Sequence, residues 1–150
     1  MDKEQLIRQI SKKIKLIRVE KSYTQNKMAD ILGISKKTLV QIEKERTEAS
    51  WTTIVAVCAL FQDSETLRNM LGEDPMEVIE TVAHEYIERP RDKTLGGKIW
   101  WNNIEERQFF TLQQNLISKH YRIIDNQHYR WYSSFDEQDA MEKLMELEHK

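Results

Sequence analysis

Lys36, Lys37, Thr38, Gln41 and Lys44 fall within nine residues of one another. At the roughly 100° per residue of an α-helix they lie away from Leu39 and Ile42, which are three apart and share the opposite, apolar side. Long ammonium groups pair with phosphate oxygens, and a carboxamide can donate to and accept from one base edge at once. The set therefore suits a nucleic-acid groove. Val40, between them, offers a methyl surface of the kind that meets a thymine methyl. Such chemistry needs a helix that is held by its apolar side and stopped sharply at both ends.

The stretch Thr24 to Arg46, TQNKMADILGISKKTLVQIEKER, supplies that setting. Thr24 is a capping residue for a first helix whose apolar positions Met28, Ala29, Ile31 and Leu32 face one way. Gly33 suits the left-handed backbone of a helix end. Ile34 drops between the helices, and Ser35 caps the second helix, which starts at Lys36. Before this pair, from Lys3 to Lys21, Leu6, Ile10, Ile14 and Ile17 recur every three or four residues, as one face of a single helix does. Lys12, Lys13, Lys15 and Lys21 lie off that face and read as a solvated, basic surface. After the pair, Ser50 caps an apolar helix, Trp51 to Phe61, carrying Ile54, Val55, Val57, Leu60 and Phe61. Ser64 and Gly72 bound a short helix from Glu65 to Leu71.

The stretch from about Leu6 to Leu71 resembles the helix-turn-helix domain of phage-repressor type, the Xre/Cro/C1 family. Arg18, Thr24, Gln25, Ala29, Leu32, Gly33, Ser35, Thr38, Ile42 and Glu43 match its order and spacing. The resemblance implies a five-helix domain and DNA binding through the second helix of the pair. It implies base contacts from Lys36, Lys37, Val40 and Gln41, and phosphate contacts from Gln25, Thr38 and Lys44. It further implies that Arg18 and Glu43 form a brace between the first helix and the recognition helix. Where the family commonly has a glycine and then a proline after that glutamate, this chain has Glu45 and Ala49.

The chain of 150 residues is 39% hydrophobic and 32% charged with four glycines and two prolines, a helix-rich globular composition. No apolar run reaches the roughly 20 residues of a membrane span, and the start MDKEQLIRQI has no signal-peptide core. A cytoplasmic location is expected. The single cysteine, Cys58, has no partner in the chain for a disulfide and reads as a small core residue. The net charge of −2 hides an asymmetry: residues 1–72 hold 13 Lys/Arg against 9 Asp/Glu, and the rest hold 10 against 16. The basic half is the one expected to meet nucleic acid.

Asp74 and Pro75 open a further helix that ends by Arg89-Pro90, and its apolar positions from Met76 to Ile87 cover a broad face. Gly96 and Gly97 read as a linker. Beyond it, Trp100, Trp101 and Ile104 are spaced as on a short helix. FFTLQQN, HYRII and YRWYSS alternate as strands do. A three-residue loop, Asn126 to His128, would put Tyr121, Ile123, Tyr129 and Trp131 on one face and Arg122, Arg130 and Tyr132 on the other. A last helix from Asp139 to Glu148 would cover the apolar face through Ala140, Leu144 and Leu147.

The sequence contains no phosphate-binding glycine loop, nucleophile elbow, dinucleotide fingerprint or HExxH motif. His84, His120, His128 and His149 have no partners at ligand spacing, so no metal is expected. A nuclease-like use of His120, Arg122, Arg130 and Tyr132 is the sharper alternative, but a solvated or partner-binding sheet face accounts for the same residues. The expectation is a mainly α protein: a five-helix helix-turn-helix domain at 1–72, a connecting helix at 73–90 and a small α+β module at 98–150 with a three-stranded antiparallel meander. Its expected partner is double-stranded DNA, bound as a homodimer because one recognition helix reads only a few base pairs. The C-terminal module is left for a protein or small-molecule effector. No cofactor, catalytic residue or membrane is expected. The competing class is a protein-interaction module, regulator-binding or antirepressor-like, on the same scaffold.

Overall fold

The computed structural model describes residues 1–85 and 100–149. They fall into two compact units, Met1–Arg89 and Pro90–Lys150. Of the helix expected from Met76 to Ile87, Tyr86 and Ile87 lie outside the described residues, as does the Gly96-Gly97 linker.

In the first unit the helices are α1 (Lys3–Ser11), α2 (Ile14–Glu20), α3 (Gln25–Leu32), α4 (Lys36–Glu43), α5 (Trp51–Leu60), α6 (Glu65–Leu71) and α7 (Pro75–His84). Most starts are capped by the residue just before them: Thr24, Ser35, Ser50, Ser64 and Asp74 each accept a backbone N–H from three residues on. These caps satisfy amides that the helix itself leaves orphaned. Leu6, Ile10, Ile14, Ile17, Met28, Leu39, Ile42, Ile54 and Leu67 are fully buried in one core.

Two expectations change here. The stripe from Leu6 to Ile17 is continuous, but the backbone is not, and α1 and α2 are separate helices. The Lys13 amide bonds to the Ile10 carbonyl, a tightened turn, and the buried Ser11 hydroxyl accepts the Ala49 amide at 2.9 Å. Periodicity records which face is inward and is blind to such a break. Up to Gly72 there are thus six helices rather than five. The helix expected to be a connector, α7, packs on α5 and α6. It buries Ile79 in the same core, with Met76, Val78 and Val82 against it. Leu60, on the apolar helix α5, is exposed.

The second unit is a meander of four strands, not three. They are β1 (Trp101–Glu106), β2 (Phe110–Asn115), β3 (Tyr121–Asp125) and β4 (Arg130–Ser134), all antiparallel in that order, followed by α8 (Glu137–Glu148). The expected Trp100 helix is the edge strand β1, in which Ile104 is an extra residue between the pairs Asn103↔Gln113 and Glu105↔Leu112. That bulge spoils the alternation by which a strand is recognised. At the other edge Asp125 and Tyr129 close the three-residue loop Asn126–His128, with His128 at φ +68°. Trp131 is then an extra residue between Ile124↔Arg130 and Ile123↔Tyr132. The second bulge changes the expected sorting at Tyr132 alone: Arg122 and Arg130 stay on one face with Ile124, and Trp131 stays beside Phe110, their ring centroids 5.5 Å apart. Tyr132 goes inward with Ile123, Leu112, Phe110 and Tyr121 against Ala140, Leu144 and Leu147 of α8, whereas Tyr129 and Trp131 are exposed.

Candidate nucleic-acid interface

The turn between α3 and α4 is closed first by backbone bonds. The Ile34 amide donates to the Ala29 carbonyl and the Gly33 amide to that of Asp30, the reciprocal closure of a Schellman motif. Gly33 sits at φ +73°, and a Cβ there would meet nothing within 4 Å. Glycine is needed for the backbone conformation and not for space. Ile34 then packs on the core, and the Ser35 Oγ accepts the Thr38 amide at 3.0 Å.

Both neighbours of this turn end the same way with other residues. Tyr23 to Arg18 and Ser22 to Val19 close α2, and Arg46 to Gln41 and Glu45 to Ile42 close α4. Ser22 and Glu45 hold the left-handed position at φ +58° and +59°. The glycine common after the recognition helix in the resembled family would sit at this left-handed end, and Glu45 occupies it. The second departure has a partner: the Ala49 amide, which a proline would lack, is the donor to buried Ser11.

Leu39 and Ile42 pin the inner side of α4, and an ion pair pins its end. Arg18 Nε donates to Glu43 Oε2 at 2.9 Å and Nη2 to Oε1 at 2.8 Å, while Nη1 donates to the Tyr23 carbonyl at 3.0 Å. The side chains are 15% and 3% exposed. The Glu43 bond raises the Arg18 pKa above its ordinary value, so the cation is permanent. A two-pronged, charge-assisted contact of this kind is directional and fixes α2, α4 and the α2–α3 connection to one another. Gln25 joins it, donating Nε2 to Glu43 Oε1 at 3.3 Å. Sequence placed Gln25 at a phosphate; here it is half-buried at the brace.

With that side fixed, Lys36, Lys37, Thr38 and Lys44 are exposed on α4, and Val40 and Gln41 are half-buried. Lys37, Gln41 and Lys44 follow the i, i+4, i+7 spacing of one stripe, flanked by Lys36 and Val40. Thr38 lies to one side, its Oγ1 accepting from the Ser35 hydroxyl at 2.8 Å. The Gln41 side chain and the Lys36, Lys37 and Lys44 ammonium groups have no hydrogen bond or ion pair among the described residues. They are the polar groups this surface offers to a partner.

Elsewhere the chemistry dissolves. Burial pushes the Cys58 thiol up to about 11, which leaves it protonated and inert. Among the described residues no group of acidic, histidine or cysteine side chains could hold a metal, and no helix is long and apolar enough to cross a membrane. Of His120, Arg122, Arg130 and Tyr132, Tyr132 leaves the face and packs toward α8, and His120 sits edge-on to Trp101 with ring centroids 5.0 Å apart. Arg122 instead stacks on Trp101 at 3.7 Å and donates to Gln113 at 2.8 Å.

Residues 11–82 match the family model of a helix-turn-helix domain. No curated protein and no solved structure matches the chain. The matched stretch, which takes in α2 to most of α7, is thus a helix-turn-helix domain, with α3 and α4 as the two helices of the motif. The match does not extend into the four-stranded unit.

Proposed function

We propose that the protein is a sequence-specific DNA-binding regulator of transcription of Xre type, acting in the cytoplasm as a homodimer with α4 in the major groove. The observation that carries the reading is the stripe of exposed Lys37 and Lys44 and half-buried Gln41, without internal partners among the described residues, on a helix whose other side is locked by Leu39, Ile42 and the Arg18–Glu43 pair. In this reading Lys36, Lys37 and Gln41 reach base edges and Val40 a thymine methyl. Thr38, Lys44 and the remaining amide capacity of Gln25 hold phosphates. A second half-site on a dimer supplies the affinity that one helix lacks.

A second reading, a protein-interaction module, draws support from Phe109, Tyr129, Trp131 and Phe135, each more than half exposed on the C-terminal unit. Aromatic side chains in such number are the usual anchors of protein contacts. Selecting bound fragments from random genomic DNA with the purified full chain, followed by sequencing, separates the two. An enriched palindrome supports the regulator and its dimer, and a pool with no enrichment at low salt supports the interaction module.

A further inference from the structure

A cavity of about 230 Å³ lies beside the end of α4, between α1 and the loop of residues 45–48. Its walls include Arg8 and Lys12, one turn apart on and just past α1, and Arg46 from the loop. Among the described residues none of these cations has an ion pair or a side-chain hydrogen bond. Glu45 and Glu48 line the cavity too, yet neither reaches a cation. At its back is Ser11, 6% exposed. Its oxygen accepts the Ala49 amide, and its own hydroxyl hydrogen has no acceptor among the described residues. A buried hydroxyl with a hydrogen left over, beside three cations and two carboxylates that form no ion pair with one another, is a donor set with room for an acceptor.

We propose that this cavity binds a small oxyanion, a phosphate or a carboxylate, with Ser11 donating from below and Arg8, Lys12 and Arg46 closing from the sides. The volume is below the ~300–1,000 Å³ of sites for drug-sized ligands, which fits a small solute. The lining bears on the reading helix. The Arg46 amide closes α4 on the Gln41 carbonyl, and Glu45, in its left-handed conformation, is the hinge between helix and loop. An anion that ties Arg46 to α1 holds the loop against the domain and steadies the end of the helix that carries Gln41 and Lys44. The occupant is a free solute in this proposal, and a DNA backbone phosphate is the competing source of the same chemistry.

The test is a titration of the full chain with inorganic phosphate, without DNA and at constant ionic strength, followed by amide resonances. Residues 45–49 are expected to shift and saturate below about 10 mM, where Kd near 1 mM is the weakest affinity that gives a usable site. Chloride should leave them unmoved. Arg8→Gln and Arg46→Gln, both at exposed positions, should each weaken the midpoint about five-fold or more, with amides of α5 and α6 unchanged as the check on folding. Linear shifts shared with chloride would overturn the proposal. So would shifts that appear only when a DNA duplex is added, which would assign the cations to its backbone. Phosphate binding without DNA binding would leave this site standing and remove only the regulator reading.

Discussion

The two units differ in where their structural information resides. In the helix-turn-helix unit, most elements are specified by residues within four or five positions: a capping hydroxyl or carboxylate at most starts, an apolar stripe through the middle, and a left-handed residue after α2, α3 and α4. In the sheet unit, the face on which a side chain lies depends on its neighbour strand, and both edge strands carry a bulge, at Ile104 and at Trp131. One extra residue reverses every face assignment beyond it. The bulges also twist and interrupt the open edges, one of the ways in which proteins discourage edge-to-edge pairing. Local chemistry can therefore be read forward from sequence in the first unit, whereas in the second it must be read from the pairing.

The largest expected effect tests where the first unit ends. A fragment stopping at Gly72 loses Ile79 and the partly buried Met76, Val78 and Val82 from the core. It should be less stable than one stopping at Glu85 by on the order of 3–5 kcal/mol, the range of large core deletions. Urea unfolding of both fragments measures this, and equal midpoints would make α7 an ornament.

Next comes the brace. Glu43→Gln keeps the shape of the side chain and removes its charge, leaving the Arg18 guanidinium, 15% exposed, without its partner. A loss of roughly 3 kcal/mol is expected for stranding one member of a mostly buried pair, read as a lower melting temperature. A change under about 1 kcal/mol, the range of surface pairs, would mean that Leu39 and Ile42 hold α4 unaided.

The two departures from the family pattern give smaller effects of opposite sign. Ala49→Pro removes the donor to Ser11 and should destabilise by about 1–3 kcal/mol, the range for leaving a buried polar group unsatisfied. Glu45→Gly relieves a side chain at φ +59° and should stabilise by about 0.5–1 kcal/mol, the left-handed strain less the extra freedom of glycine in the unfolded chain. Chemical denaturation resolves both, and a destabilised Glu45→Gly would show that the glutamate side chain has a role beyond the backbone.

Much of the candidate interface was legible before the structure. Thr24, Gly33 and Ser35 announce the turn, and the Leu39–Ile42 spacing orients α4. The left-handed position after α4 was hidden because glutamate stands where glycine would have flagged it. Ser11 was hidden for a different reason: it sits among apolar residues on the stripe, and its partner, the Ala49 amide, is 38 residues away. The inward turn of Tyr132 depended on the Trp131 bulge, which no feature of YRWYSS announces. The Gln25 amide was assigned outward by resemblance, and the carboxylate that holds it is 18 residues away.

The central claim, that the outer stripe of α4 reads DNA, is tested most directly by salt-dependent titrations of a selected duplex with the unaltered chain and two variants. Lys44→Ala should weaken all sequences alike and lower the log–log salt slope by about 1, as loss of one phosphate contact requires. Gln41→Ala should leave the slope unchanged and relax preference at one base position by roughly 1–3 kcal/mol. Equal losses on every sequence from both variants, or a wild-type chain that binds no duplex at low salt, would contradict it.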